Sequence, residues 1–278
     1  MRSGVTPSGI AYSVVGEGPP LLWLSGFVLA STAMEPYVAR FSVGYTCIVF
    51  DARGSGRTKP TIRQLTTAKM AEDALEVLRL LRYESAHVHG VSLGGMVAQE
   101  LAIRAPQRVR TLVLGSTTAG GSAATPARLS TMSSGVLGRH APVPGADSVN
   151  WWGALQQALA ASTHDAASRL SRVQAPCLVM HGERDRLLPL DNARELVRLV
   201  PGAQLRVIRG AGHFYPMNAP EAAADIALDW MTSQGDVRPG GRSAGERVQH
   251  LSQDVASFPV RWVRARLNPL QYAVKAIW

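Results

Sequence analysis

The sequence predicts an α/β protein with a mostly parallel sheet and helices on both of its faces. Short β-branched runs alternate with amphipathic helical stretches from Ile10 to about Met231, and this alternation is typical of parallel strands joined by crossover helices. Gly-rich turns follow two of the predicted strands. With 278 residues, 46% of them hydrophobic and 18% charged, the chain is long enough to bury a large core and has the composition of a globular protein.

The predicted elements follow from two kinds of sequence pattern. Alternating or continuous apolar residues indicate strands, and an apolar repeat of 3.6 residues indicates helices. One helix contains Ala71, Leu75 and Leu78 behind the capping candidates Thr66 and Thr67. The predicted strands cover residues 10–15, 21–24, 45–50, 86–89, 108–114, 177–180 and 204–208. The other predicted helices cover residues 93–103, 192–200 and 220–231.

The regular alternation is interrupted once and then ends. Residues 116–173 are first rich in Gly, Ser, Thr and Ala, and then contain two helix-like pieces at 147–161 and 163–173. Residues 232–245 are rich in Gly, Pro, Arg and Ser, as in a linker. The predicted organisation is a core of residues 1–115 and 174–231, a short helical cap of residues 116–173, a linker of residues 232–245 and a C-terminal tail of residues 246–278.

The C-terminal tail is predicted to be amphipathic and helical. Leu270, Ala273, Val274 and Ile277 form one stripe at helical spacing, and such a stripe must be buried against another surface. We expect the tail to pack on the body of the same protein or to form a homodimer. A peripheral membrane contact is the alternative, because basic and aromatic residues accompany the stripe.

The charge distribution, the N-terminal sequence and the length of the apolar runs indicate which partners and which cellular location to expect. The 29 basic and 20 acidic residues give a formal net charge of +9, but the arginines are spread along the chain without a dense run before the tail. This pattern favours a solvated surface over a nucleic-acid site. The N-terminus lacks a signal-peptide pattern, and no apolar run approaches the ~20 residues of a membrane-spanning helix. We therefore expect a cytoplasmic protein without a nucleic-acid partner.

A candidate nucleophile lies in the sequence Gly90-Val91-Ser92-Leu93-Gly94, which fits the pattern G-x-S-x-G. The pattern falls between a predicted strand and a predicted helix, where a sharp turn exposes the serine hydroxyl. The positive end of the helix dipole would favour a developing oxyanion there. Chance matches to the pattern are common, so its position between strand and helix is the stronger argument.

A serine nucleophile needs a base and an acid that orients the base. His213 follows the predicted strand 204–208, and Asp185 and Glu183 follow the strand 177–180. The carboxyl ends of parallel strands lie at one edge of a sheet, where Ser92 also emerges. For the two oxyanion donors we propose the backbone N–H groups of Phe27, in the loop after strand 21–24, and Leu93.

Five blocks of the sequence together resemble the α/β-hydrolase superfamily, in particular its esterase, lactonase and C–C-hydrolase branches. The resemblance covers about residues 10–231 and implies that Asp185, rather than Glu183, is the acid of the triad. One departure is Ser25, since members usually carry His before the Gly of the oxyanion loop. The blocks are LSGF at 24–27, DARGSG at 51–56, GVSLGG at 90–95, GERD at 182–185 and GH at 212–213.

Other conspicuous residues are interpreted as structural. In the DARGSG turn, Asp51 and Arg53 suggest an Arg–carboxylate tie that holds the loop. Cys47 and Cys177 lie in apolar runs without metal-ligand spacing and are expected to be buried thiols. The family's strand order would place them four strands apart, ~19 Å at ~4.8 Å per strand. A disulfide needs Cα atoms within ~7 Å, so none is expected.

The sequence thus predicts a serine hydrolase that cleaves a carboxylic ester or lactone of a small, largely apolar substrate through an acyl-enzyme, with no cofactor or metal. One alternative is C–C bond hydrolysis, or a lyase or cyclase reaction on a biosynthetic ketide, with the same triad. Another is a non-catalytic small-molecule receptor with a dormant triad. Trp151 and Trp152 head a cap helix, where they either pack the cap on the core or line an apolar substrate pocket.

Overall fold

The structure is a computed structural model and describes residues 1–120 and 150–235. These residues contain an eight-stranded sheet. Its strands in chain order are β1 (Arg2–Val5), β2 (Ala11–Val15), β3 (Pro20–Leu24), β4 (Thr46–Phe50), β5 (Ala86–Val91), β6 (Val109–Gly115), β7 (Cys177–Gly182) and β8 (Gln204–Ile208).

The strand order is β1-β2-β4-β3-β5-β6-β7-β8. At one edge β1 pairs antiparallel with β2, and β2 pairs antiparallel with β4. All other neighbouring strands are parallel, which confirms the predicted mostly parallel sheet. Because parallel strands end at the same edge, the loops after β3, β5, β7 and β8 lie together there.

The sheet is buried on both faces. In β3, Leu22 and Leu24 belong to one hydrophobic cluster, whereas Leu21 and Trp23 belong to the other. This division follows from the two-residue period of a strand, and it explains why the central strands are continuous apolar runs. Covering both faces with helices removes this apolar surface from water.

Helices lie on both faces of the sheet, as predicted. The described residues form the helices α1 (Glu35–Val38), α2 (Thr67–Leu80), α3 (Leu93–Arg104), α4 (Trp151–Ser162), α5 (Asp191–Leu199), α6 (Tyr215–Asn218) and α7 (Pro220–Ser233). One hydrophobic cluster contains residues of α2, α3, α4 and α5, and the other contains residues of α1, α6 and α7. The predicted cap of α2 is confirmed, because the Thr66 side chain accepts a hydrogen bond from the Lys69 N–H at 3.1 Å.

The structure differs from the predicted elements at several places. The short helices α1 and α6 were not predicted. The edge strand β1 was not predicted, since its sequence Arg-Ser-Gly-Val is short, polar and mostly exposed. Within the predicted helical piece 163–173, the structure has a 3₁₀ helix over Ala167–Arg172. Most of the first half of the predicted cap, part of the linker and the whole C-terminal tail lie outside the described residues, so the expectations for them stay predictions.

The turn after β4 is held by two Arg–carboxylate pairs, but the predicted pair of Asp51 with Arg53 is wrong. Asp51 instead accepts hydrogen bonds from the Arg57 backbone N–H and Nε, both at 3.1 Å. Arg53 makes a bidentate contact with Asp73 of α2, at 2.8 and 2.9 Å. A local sequence pattern cannot separate these partners, because Asp73 lies 20 residues away.

A buried histidine connects the segment after α4 to the core. His164 Nδ1 lies 3.0 Å from Thr67 Oγ1, and its Nε2 lies 3.3 Å from Gln99 Oε1. Burial lowers the pKa of His164 to about 4, although the nearby carboxylate of Glu100 opposes this and Arg169 supports it. His164 is therefore neutral at pH 7 and acts as a hydrogen-bonding core residue.

We expect the free energy of unfolding to decrease as the pH falls from 6.5 towards about 4. The unfolded chain takes up the His164 proton near pH 6.5, whereas the folded chain does so only near pH 4, so the contribution is complete above pH 6.5 and is lost in this window. At ~1.4 kcal/mol per pKa unit it is on the order of 3 kcal/mol. Urea denaturation across this range should show a shallower pH dependence for His164→Gln than for wild type, and equal slopes would contradict the prediction.

Cys47 and Cys177 are buried free thiols, and burial raises the pKa of each. Their strands β4 and β7 lie four positions apart in the sheet, in agreement with the predicted separation. Within residues 1–120 and 150–235, none of the helices has the length and apolar character needed to cross a bilayer.

Candidate active site

Ser92 lies at the tip of a tight turn between β5 and α3. Its φ of 56° and ψ of −120° are unfavourable for a residue with a side chain, and such conformations persist where the surroundings enforce them. The surroundings here are close-packed backbone, because a Cβ at Gly94 would lie only 2.0 Å from the Leu24 carbonyl oxygen. A Cβ at Gly90 would lie 2.3 Å from the Gly94 oxygen. The two flanking glycines therefore allow the turn that exposes the Ser92 hydroxyl.

The structure brings Ser92, His213 and Asp185 together in one line of contacts. His213 Nε2 lies 2.9 Å from Ser92 Oγ, and His213 Nδ1 lies 2.8 Å from Asp185 Oδ2. The loops that carry the base and the acid touch through their backbones, since a Cβ at Gly182 would lie 2.3 Å from the Gly212 oxygen. This geometry can transfer the Ser92 proton to an oriented imidazole.

Asp185 is buried and remains an acceptor. Its Oδ1 accepts hydrogen bonds from the backbone N–H groups of Leu187 and Leu188, both at 2.9 Å. Burial alone would raise the pKa of Asp185, but the contacts with His181 and His213 outweigh this effect and hold it well below its usual value. The carboxylate is therefore charged at neutral pH and fixed towards His213 Nδ1.

Glu183, the alternative acid in the sequence, is engaged elsewhere. Its Oε2 accepts a hydrogen bond from the Gly210 backbone N–H at 2.8 Å, on the exposed side of the loops. His181 lies beside Asp185 instead, with Nε2 at 3.3 Å from Asp185 Oδ2 and at 2.8 Å from the Leu188 carbonyl oxygen. The second side-chain contact to Asp185 therefore comes from a buried histidine of β7.

The two candidate oxyanion donors lie on either side of Ser92. Leu93 is the first residue of α3, so its N–H has no acceptor within the helix. The loop of Phe27 approaches from β3, because a Cβ at Gly26 would lie 3.5 Å from Ser92 Cβ. Phe27 and Leu93 also line the same pocket as Ser92. Both residues therefore lie close to Ser92, and their amides stay the candidate donors to a developing oxyanion.

A small, mostly apolar pocket opens above Ser92. The empty space at this site is about 400 Å³, including space that is open to solvent. Helix α4 of the cap region forms one wall, and the segment after Asp185 forms another. The described residues that line it are Phe27, Ser92, Leu93, Met96, Ala158, Ala161, Leu187 and Leu188.

Trp151 and Trp152 are not among the described residues that line this pocket. Trp151 is 68% exposed and Trp152 is 39% exposed, and their rings contact each other at 5.9 Å between centroids. The Trp152 indole N–H donates to the Thr61 carbonyl oxygen at 3.1 Å, which attaches the start of α4 to the core. The small residues Ala158 and Ala161, further along the same helix, form the pocket wall instead.

The model of the α/β-hydrolase-fold family matches residues 19–153 and 145–220 of this chain. A putative carbamate hydrolase of Azorhizobium caulinodans is 33% identical over 103 residues, which are 37% of this chain and 39% of that protein. The matched stretch thus spans about two fifths of the first curated relatives. A 2-hydroxy-6-oxononadienedioate/2-hydroxy-6-oxononatrienedioate hydrolase of Cupriavidus pinatubonensis is 28% identical over 249 residues, covering 78% of this chain and 84% of the relative.

Solved structures agree with this match. The structure of an N-acyl homoserine lactone degrading enzyme superimposes with a TM-score of 0.69 at 28% identity, covering 80% of this chain and 96% of that protein. The family model spans more than half of the chain and includes the segment with Ser92 and that with Asp185 and His213. The eight-stranded sheet and these matches together show that the chain belongs to the α/β-hydrolase family.

Proposed function

We propose that this protein is a serine hydrolase that cleaves carboxylic esters or lactones of small, largely apolar acids. The observation that carries the proposal is the 2.9 Å contact between His213 Nε2 and Ser92 Oγ, with Asp185 fixed on the other nitrogen of the ring. A serine at its free pKa is a poor nucleophile, and this arrangement supplies the base that it needs.

In the proposed reaction, Ser92 Oγ attacks the substrate carbonyl carbon while its proton passes to His213 Nε2. The Phe27 and Leu93 amides donate hydrogen bonds to the carbonyl oxygen as it becomes negative. His213 then protonates the leaving alkoxide, and the C–O bond breaks to give an acyl-enzyme. His213 next takes a proton from water, whose oxygen attacks the acyl carbon and releases the acid and Ser92. Asp185 stabilises the imidazolium in both steps.

The pocket supports an apolar acyl group rather than a dianionic substrate. The curated C–C hydrolase relative acts on dioates, which carry two carboxylates, and a buried site for them needs cationic partners. Among the described lining residues none carries a positive charge. Ester or lactone cleavage is therefore favoured over C–C cleavage of such a diacid, and the similarity to a lactone-degrading enzyme is consistent with it.

A fluorophosphonate probe tests the proposed function directly. We expect stoichiometric labelling of Ser92, located by peptide mass spectrometry, together with release of p-nitrophenol from short-chain p-nitrophenyl esters. A receptor with a dormant triad would bind small apolar molecules without becoming labelled. Absence of labelling in the folded protein, or labelling at another residue, would contradict the proposal.

Enlarging Ala158 should shorten the acyl chains that the enzyme accepts. Ala158 lines the pocket, so Ala158→Leu would fill part of it and should lower kcat/KM for a hexanoyl ester roughly tenfold relative to an acetyl ester. The matched control is Leu159→Phe on the same helix, because Leu159 is half exposed on the outer side. In a chain-length series of p-nitrophenyl esters, kcat/KM should fall with acyl length more steeply for Ala158→Leu than for Leu159→Phe. The same dependence on chain length in both variants would contradict this placement of the acyl group.

A further inference from the structure

A glutamine of the cap helix holds the loop that carries Phe27. Gln157 of α4 is fully buried, and its Oε1 accepts a hydrogen bond from the Val28 backbone N–H at 2.8 Å. Its Nε2 donates to the Arg53 carbonyl oxygen at 2.9 Å and to Ser55 Oγ at 2.8 Å. Both amide hydrogens and the carbonyl oxygen of this side chain are therefore engaged, which fixes the orientation of the amide.

The backbone at Val28 needs such a contact. Val28 has a φ of 52°, a conformation that is unfavourable for a β-branched residue and persists only where neighbouring groups enforce it. The Val28 N–H belongs to the peptide that directly follows the Phe27 Cα. The Phe27 N–H belongs to the preceding peptide, on the other side of the same Cα, so the bond to Gln157 anchors the residue next to the candidate donor and restricts displacement of Phe27 relative to Ser92.

The loop's own side chains do not provide this support. Ser25 Oγ is buried and has no hydrogen-bond partner in the part of the chain that the structure describes. Asp51 holds the far end of the loop, where its Oδ1 accepts from the Ser31 N–H at 2.7 Å. Gln157 is therefore the side chain that reaches the middle of the loop, beside Phe27.

The position of α4 makes this contact possible. One turn before Gln157, Gly153 packs backbone to backbone on the turn after β4, because a Cβ at Gly153 would lie 2.4 Å from Gly54 Cα. Residues four apart share one face of a helix, so the glycine contact places the Gln157 side chain against the same turn and the Phe27 loop. A helix that shifted outward would lose both contacts.

We propose that Gln157 is a positioning residue that holds the Phe27 amide in place for transition-state stabilisation and so links the cap helix to the oxyanion hole. The proposal rests on the proposed function, in which Ser92 is the nucleophile and Phe27 an oxyanion donor. Gln157 does not touch the substrate in this role. Its loss affects the developing oxyanion more than the bound ground state.

The test compares Gln157→Met with Gln156→Met in the full-length protein. Gln156 is the matched control, because it is also buried in α4 and its Nε2 donates to the carbonyl oxygens of Thr61 and Arg63, away from the Phe27 loop. We expect Gln157→Met to lower kcat on a p-nitrophenyl ester roughly ten- to a hundredfold with KM nearly unchanged. Affinity for an alkylboronic acid, which forms a tetrahedral adduct with Ser92, should fall by a similar factor. Gln156→Met should change neither quantity by more than about threefold.

Hydrogen exchange provides a readout that does not depend on turnover. The Val28 amide should exchange faster in Gln157→Met than in wild type or Gln156→Met, since it loses its acceptor. Equal losses of kcat in both variants, or wild-type kcat and Val28 protection in Gln157→Met, would overturn the role of Gln157. Turnover that persists in Ser92→Ala would instead overturn the proposed function, and the two failures are therefore distinguishable.

Discussion

Replacing Ser92 with alanine is expected to lower kcat by about a millionfold on any ester that the wild-type protein turns over. The substitution removes the only atom that can form the acyl bond in the proposed reaction, while the backbone turn stays intact. Ser92 has no side-chain capping bond within α3, so its hydroxyl is not needed to begin that helix. The melting temperature should therefore change little, and the measurement is a comparison of kcat together with thermal unfolding.

The matched control is Ser116→Ala. Like Ser92, Ser116 is a serine with positive φ at the carboxyl end of a strand, but it is buried and its hydroxyl has no partner among the described residues. Its backbone N–H donates to the Met180 carbonyl oxygen at 2.9 Å, which alanine preserves. This variant should keep wild-type activity. A comparable loss in Ser116→Ala, or wild-type turnover in Ser92→Ala, would remove Ser92 from the role of nucleophile.

Replacing the carboxylate with an amide should lower kcat far more at Asp185 than at Glu183. Asp185→Asn removes the negative charge that stabilises the imidazolium, and the amide can offer an N–H to His213 Nδ1 and so favour the wrong tautomer. We expect a loss of kcat of about ten-thousandfold. Glu183→Gln keeps an oxygen that can accept from the Gly210 N–H and should retain activity within a few-fold.

Comparing the two variants also distinguishes a loss of catalysis from a loss of folded structure. Asp185→Asn keeps an Oδ1 acceptor for the Leu187 and Leu188 amides, so the loop can stay folded while the charge is lost. Steady-state kinetics of the two variants, with circular dichroism as a check of folding, give the answer. A larger loss in Glu183→Gln than in Asp185→Asn would assign the acid to Glu183.

The fold, and the meeting of the three candidate side chains at one edge of the sheet, could be predicted because they depend on local patterns. Ser92, Asp185 and His213 each follow a strand-like run within a few residues, and the carboxyl ends of parallel strands meet at one edge. The alternation of strands and helices is also a local pattern, and it predicted a mostly parallel sheet. The burial of each strand and the position of the turn after it depend on residues that are close together in the chain, so these features can be predicted from one sequence.

The contacts that support the site could not be predicted, because they depend on distant partners. Gln157 meets Val28 across 129 residues, and nothing in the helix sequence distinguishes it from Gln156 beside it. The spacing of Gly153 and Gln157 was the one available signal, since a glycine within an apolar helix often marks a close backbone approach. Arg53 likewise paired with Asp73 rather than Asp51, a choice made by packing and not by proximity in sequence.

The arrangement of the site also affects how the protein folds. The contact from His213 to Ser92 joins residues 121 positions apart, and that from Val28 to Gln157 joins residues 129 positions apart. Contacts of such long range form slowly, because a large loop must close before any stabilising interaction is gained. A partly folded chain can contain β5 and the start of α3 without a base beside the serine. Reactivity should therefore appear late in refolding, after helix formation, so that a newly made chain stays chemically inert until its last strands have joined the sheet.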